Sequence, residues 1–99
     1  MVRVIAKFGG TSVADGERVR RAADSIASAV ADGHELAVVV SAMGDATDDL
    51  LGQIRFDASE RDRAEIVSMG ERTAVRMLKG ALEARGIDAV FLEPGREDW

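Results

Sequence analysis

Residues 2–8, "VRVIAKF", are β-branched, short and weakly alternating, which predicts a strand. "GGTSVAD" follows as a turn. Asp15 is placed to cap a helix, with Glu17 in its first turn. Val19, Ala22, Ala23, Ile26 and Val30 then recur at helical spacing, so the first helix is expected over about 16–31. Gly33 in "DGHE" is the expected residue just past its end. "LAVVVSAM" is almost continuously apolar, as a strand covered on both faces of a parallel sheet would be. "GDATDDLLGQI" turns into a second helix that Thr47 or Asp45 can cap, with Asp48 and Asp49 at its positive end. A longer helix is expected from about Ser59 to Arg85, ending at Gly86, and "DAVFLEP" reads as a third strand. The order β-α-β-α-α-β predicts a three-layer α/β/α fold with a mainly parallel sheet, of which residues 1–99 are one part. Pro94 closes the last strand, and "GREDW" offers neither a cap nor a polar tail, so the domain reads as interrupted.

Composition narrows the function classes. Ninety-nine residues with 46% hydrophobic content can bury a modest core. A net charge of −5 argues against a nucleic-acid groove as the main purpose. There is no cysteine, so no disulfide frame or thiolate site. The apolar runs are too short to span a bilayer, and "MVRVIAKFGG" lacks the apolar stretch of a signal peptide, so a cytoplasmic location is expected.

Ligands of parallel α/β sheets bind beyond the carboxyl ends of the strands. Two loops fall there, "KFGGTS" and "SAMGDAT", and both combine glycine with hydroxyl residues. Gly9 and Gly10 let backbone N–H groups approach an anion, Thr11 and Ser12 add donors, and Lys7 adds a compact charge with three more. This set suits phosphate. It is neither a Walker A loop nor a GxGxxG loop. The other reading is a tight strand-to-helix turn with a solvated lysine. A third feature is Glu71 in "SMGERTAV", which falls within the apolar arc of the long helix beside Val67, Val75 and Leu78. A buried carboxylate needs a partner. That partner is either a structural cation or a ligand ammonium, and Gly70 lets a neighbour approach closely. His34 and the Arg18, Arg20, Arg21 group read as solvated, and Met69 and Met77 lie at core spacing. No cluster has metal-ligand spacing, and G-x-S-x-G is absent.

Together "KFGGTSV" at 7–13, "VVVSAMGDATDDLL" at 38–51 and "SMGERTAVRML" at 68–78 resemble the aspartate kinases of the amino acid kinase family. The resemblance covers essentially the whole chain, in the family's motif order. It implies ATP-dependent phosphorylation of the side-chain carboxylate of L-aspartate, on the route to lysine, threonine and methionine, with Mg²⁺ brought by the nucleotide. It also implies that Lys7 contacts the transferring phosphates and that the backbone of Phe8, Gly9 and Gly10 cradles them. Thr11 and Ser41 would line the phosphate and aspartate site, and Thr47 and Glu71 would hold aspartate, Glu71 through its ammonium. The family's catalytic domain is more than twice as long and is usually followed by regulatory ACT domains. A missing carboxyl-terminal half, or a second copy, is therefore the expected partner, and the 99 residues alone are expected to be inactive. Two alternatives remain: a non-catalytic interaction fragment of the same fold, and a kinase for another acidic substrate.

Overall fold

The computed structural model describes residues 1–93; Pro94 and the "GREDW" segment lie outside them. Strand β1 (Arg3–Phe8) leads through one 3-10 turn (Gly10–Val13) into helix α1 (Gly16–Ala31). Strand β2 (Glu35–Val40), helix α2 (Ala46–Gln53) and helix α3 (Glu60–Glu83) follow. The two strands pair in parallel, in register from Arg3 with Glu35 to Phe8 with Val40. The α/β class, the parallel sheet and the order of the first five elements are those the hydrophobic pattern predicts.

The helix boundaries have local chemical causes. Asp15 Oδ1 accepts from the Arg18 N–H at 2.9 Å and starts α1. Gly33 adopts φ +86°, and the Gly33 and His34 N–H groups return to the Val30 and Ala29 carbonyls, which ends it. The Ser59 hydroxyl accepts from the Asp62 N–H at 3.1 Å to open α3. Gly86 at φ +77° reverses the chain after α3, with its N–H donating to the Glu83 carbonyl. At α2, Asp45 occupies the capping position without a side-chain hydrogen bond, and Thr47 lies inside the helix rather than capping it.

Helices α1 and α3 cover one face of the sheet. Val13, Val19, Ala22, Ala23, Ile26, Leu78 and Leu82 form the core, and Phe8, Leu36, Val38 and Val40 pack on it from the strands. The alanines let α1 and α3 approach closely. Arg85 fastens them at one end through Asp24 at 2.7 Å. The opposite sheet face is open: Ile5 is 81% exposed and Val39 51%. The continuous apolar run of β2 thus reads as buried on both faces, yet here it alternates between exposed and half-buried. Its composition matches a covered sheet, and among the described residues only one helical layer covers it.

The expected third strand at "DAVFLEP" is not formed over its described residues, 88–93. This segment pairs with neither β1 nor β2. Ile87 and Ala89 pack on the core, Val90 and Leu92 are exposed, and Phe91 and Glu93 contact α3. Arg76 donates to both carboxylate oxygens of Glu93, at 3.0 and 3.1 Å, and its guanidinium stacks over the Phe91 ring at 4.6 Å. The bond to Glu93 holds the Arg76 pKa above its ordinary value. This fastening to a helix face replaces a β ladder.

Candidate active site

Parallel pairing puts the carboxyl ends of β1 and β2 at the same end of the sheet, so the loops that follow them meet. The Ser41 N–H donates to the Phe8 carbonyl at 3.1 Å, one step past the ladder. The Gly44 N–H donates to the Gly10 carbonyl at 3.1 Å and ties one loop to the other. Gly44 has φ +51°, and a Cβ there would stand 3.3 Å from the Ala14 carbonyl oxygen. A Cβ on Gly10 would stand 3.1 Å from the Ala42 oxygen and 3.3 Å from the Gly44 oxygen. A side chain at either position would press on the neighbouring loop, and Gly44 also takes the left-handed φ that favours glycine.

Helix α3 reaches the same place. Gly70 is buried, and a Cβ on it would come within 2.8 Å of the Ala42 Cβ, 3.7 Å of the Ala46 Cβ and 3.8 Å of Thr47 Oγ1. The neighbour expected to approach Gly70 is thus the second loop and the start of α2. All three sequence stretches converge around Ala42, which is 5% exposed. Gly9, Gly10, Ser41 and Thr47 are half-buried in this arrangement, and Thr11 is exposed. Gly10 and Thr11 open the 3-10 turn, so their N–H groups have no carbonyl partner within it. Val13 at the end of this turn is 1% exposed and anchors the loop in the core.

Lys7 precedes this loop on β1. Strand alternation places Phe8 against the helices and Lys7 on the open face with Ile5. It is exposed and makes no ion pair among the described residues. Glu71 differs from expectation. It is exposed rather than buried, and it has no ion-pair partner among the described residues. The buried stripe of α3 is narrow, with Gly70, Ala74, Leu78 and Leu82 at four-residue spacing. Val67 and Val75 are half-buried, and Met69 and Met77, expected in the core, are 48% and 44% exposed. The apolar arc is wider than the surfaces that pack on it, so Glu71 at its margin keeps its hydration. A carboxylate in that state needs no structural cation and is free to meet a ligand's.

Two contributors had no clear signal in the sequence. Ala42 is an ordinary alanine until the two loops and α3 are brought together around it. Arg18, read as part of a solvated face, has an exposed head but donates from Nη1 to the Thr11 carbonyl at 2.9 Å. It thereby ties α1 to the glycine loop. A shallow groove of about 450 Å³ opens beside it, lined by Phe8, Thr11, Ser12, Arg18, Arg21 and Ser25. His34 is half-buried, and its Nδ1 accepts from the Val2 N–H at 3.3 Å, away from these loops. Among the described residues, no group of three His, Cys, Asp or Glu side chains could hold a metal ion. No helix of the described residues is long and apolar enough to cross a membrane.

A sequence model of the amino acid kinase family matches residues 2–99. An aspartokinase of Mycolicibacterium smegmatis is 41% identical over 92 residues, which cover 90% of this chain and 22% of that protein. Aspartokinase 2 of Bacillus subtilis is 38% identical over 90 residues, 88% of this chain and 22% of its own length. The crystal structure of an aspartate kinase from Synechocystis superposes with a TM-score of 0.76 at 39% identity, over 82% of this chain and 14% of that one. The chain thus spans about a fifth of the length of the curated relatives it matches.

Proposed function

The chain belongs to the amino acid kinase family, and we infer that it supplies the phosphate loop and the acceptor-binding helix of an enzyme that phosphorylates the side-chain carboxylate of L-aspartate from ATP. The observation that carries this reading is the convergence of the Gly9–Gly10 loop, the Ser41–Thr47 loop and the Gly70–Glu71 turn of α3 at the carboxyl end of a parallel sheet. The likeness to aspartokinases supports the choice of acceptor.

In this reading an oxygen of the aspartate side chain attacks the γ-phosphorus. The bond from that phosphorus to the β,γ-bridging oxygen breaks, and ADP leaves. Such catalysis is mainly positioning and electrostatic stabilisation. The N–H groups of Gly9, Gly10 and Thr11 hold phosphoryl oxygens, and the Lys7 ammonium offsets the charge that develops on them. Ser41 and Thr47 hydroxyls line the space between phosphoryl group and acceptor. Glu71 pairs with the aspartate ammonium. Mg²⁺, brought with the nucleotide, would share the charge of the phosphates.

The test is a hydroxamate assay for aspartyl phosphate, with this chain joined to the remainder of an aspartokinase catalytic domain. Activity with aspartate is the expected result. Glu71→Gln should then raise the aspartate KM about tenfold or more, the scale of a hydrogen bond to a charged group, with little change for ATP. Phosphorylation of a different acid in a substrate panel would replace the acceptor, and no phosphorylation of any acid would refute the kinase reading. The open face around Ile5 and Val39 favours a second role for the isolated chain, as one part of an assembly completed by another segment.

A further inference from the structure

We propose that Gly70, seated against Ala42, is a positioning residue that sets the distance between the acceptor-binding helix and the two phosphate-side loops. This rests on reading the site as a kinase site. The contact has no slack. A Cβ at position 70 would lie 2.8 Å from the Ala42 Cβ, where ordinary carbon–carbon contact needs about 3.5–4.0 Å. Ala42 also lies close against the first loop, since a Cβ built on Gly10 would stand 3.1 Å from its carbonyl oxygen. The Gly44 N–H holds the Gly10 carbonyl from the same loop, and Ala14 backs Gly44. A methyl at position 70 must therefore move α3 outward or push the second loop toward the first, by roughly 1 Å.

Glu71 is the next residue on α3, and Thr47 Oγ1 lies 3.8 Å from the position of that methyl. An outward move of α3 displaces Glu71, and a push on the second loop displaces Thr47, relative to the loop that holds the phosphoryl group. Gly70 touches no substrate in this scheme. It acts through Glu71 and Thr47.

The experiment is Gly70→Ala alone and combined with Ala42→Gly, which removes the opposing methyl. In the chain joined to the remainder of a catalytic domain, Gly70→Ala should lower kcat/KM for aspartate about tenfold or more, as a misplacement of this size does. The ATP KM should stay within about twofold. Ala42→Gly in the same protein should restore most of the loss. Equal losses toward both substrates without rescue would overturn the proposal. A second arm needs no activity. In the 99-residue chain, amide NMR shifts should change at Gly10 and Ala42–Thr47 in Gly70→Ala and revert in the double variant. Changes confined to α3 would overturn the coupling. Should the single variant fail to fold, folding of the double variant supports the contact, and failure of both refutes it. Absence of kinase activity in the unmutated protein would refute the functional reading, while the amide arm would still decide the coupling.

Discussion

Val13 offers a direct test of how the glycine loop is held. It ends the 3-10 turn that begins at Gly10, and among the described residues it is the largest side chain that is fully buried. At 1% exposure it lies in the core with Val19, Ala22, Ala23 and Ile26. Val13→Ala removes two methyl groups. Their transfer to water is worth about 1.6 kcal/mol, at roughly 0.8 kcal/mol per buried carbon. The void is enclosed, and Val13 does not line the groove beside Arg18, so the site collapses only partly and adds up to about 1 kcal/mol. The expected loss is therefore about 2–2.5 kcal/mol, a large part of the roughly 5–15 kcal/mol that holds a native domain together. Urea unfolding should show a lower midpoint at an unchanged slope. The melting temperature should fall by roughly 8–20 °C, since each kcal/mol moves a domain of this size by about 4–8 °C. A Val13→Ala loss below about 0.5 kcal/mol would show that the loop is not anchored through this residue.

Other expectations concern the site and the open surfaces. Lys7→Arg in a complete catalytic domain should lower kcat about a hundredfold or more while leaving the fold intact, because a planar guanidinium does not reproduce a compact ammonium. Near-normal turnover would remove Lys7 from the mechanism. Asp15→Ala should destabilise the chain by about 1 kcal/mol in a thermal melt through loss of the α1 cap, and Asp15→Asn should recover most of it. The purified 99 residues should give no aspartyl phosphate in the hydroxamate assay and should self-associate on a sizing column. Ile5→Lys on the open sheet face should reduce that association, and an unchanged elution profile would place the contact elsewhere.

Local chemistry made much of this protein legible in its sequence. Asp15, Gly33, Ser59 and Gly86 mark helix ends through caps and left-handed turns that depend only on near neighbours. The period of the apolar residues identified β1, α1 and α3 for the same reason, and an unbroken apolar run identified β2. The two glycine loops were visible because glycine after a strand marks a tight turn where backbones lie close. The remaining features depend on which surface covers which, and a hydropathy pattern does not carry that information. "LAVVVSAM" is as apolar as a strand covered on both sides, but Val39 is 51% exposed because helices cover only one face. "DAVFLEP" is strand-like in composition, yet Arg76 competes for its described part through Glu93 and Phe91. Glu71 sits in an apolar arc on a helical wheel and in solvent in the fold, because α3 is wider in apolar character than the partners packed on it. Only the tertiary structure shows why Gly70 and Ala42 matter. Their identities are ordinary in isolation, and their meaning lies in an approach between residues 28 positions apart so close that a Cβ on Gly70 would stand 2.8 Å from that of Ala42, set by the packing of α3 on the loop after β2.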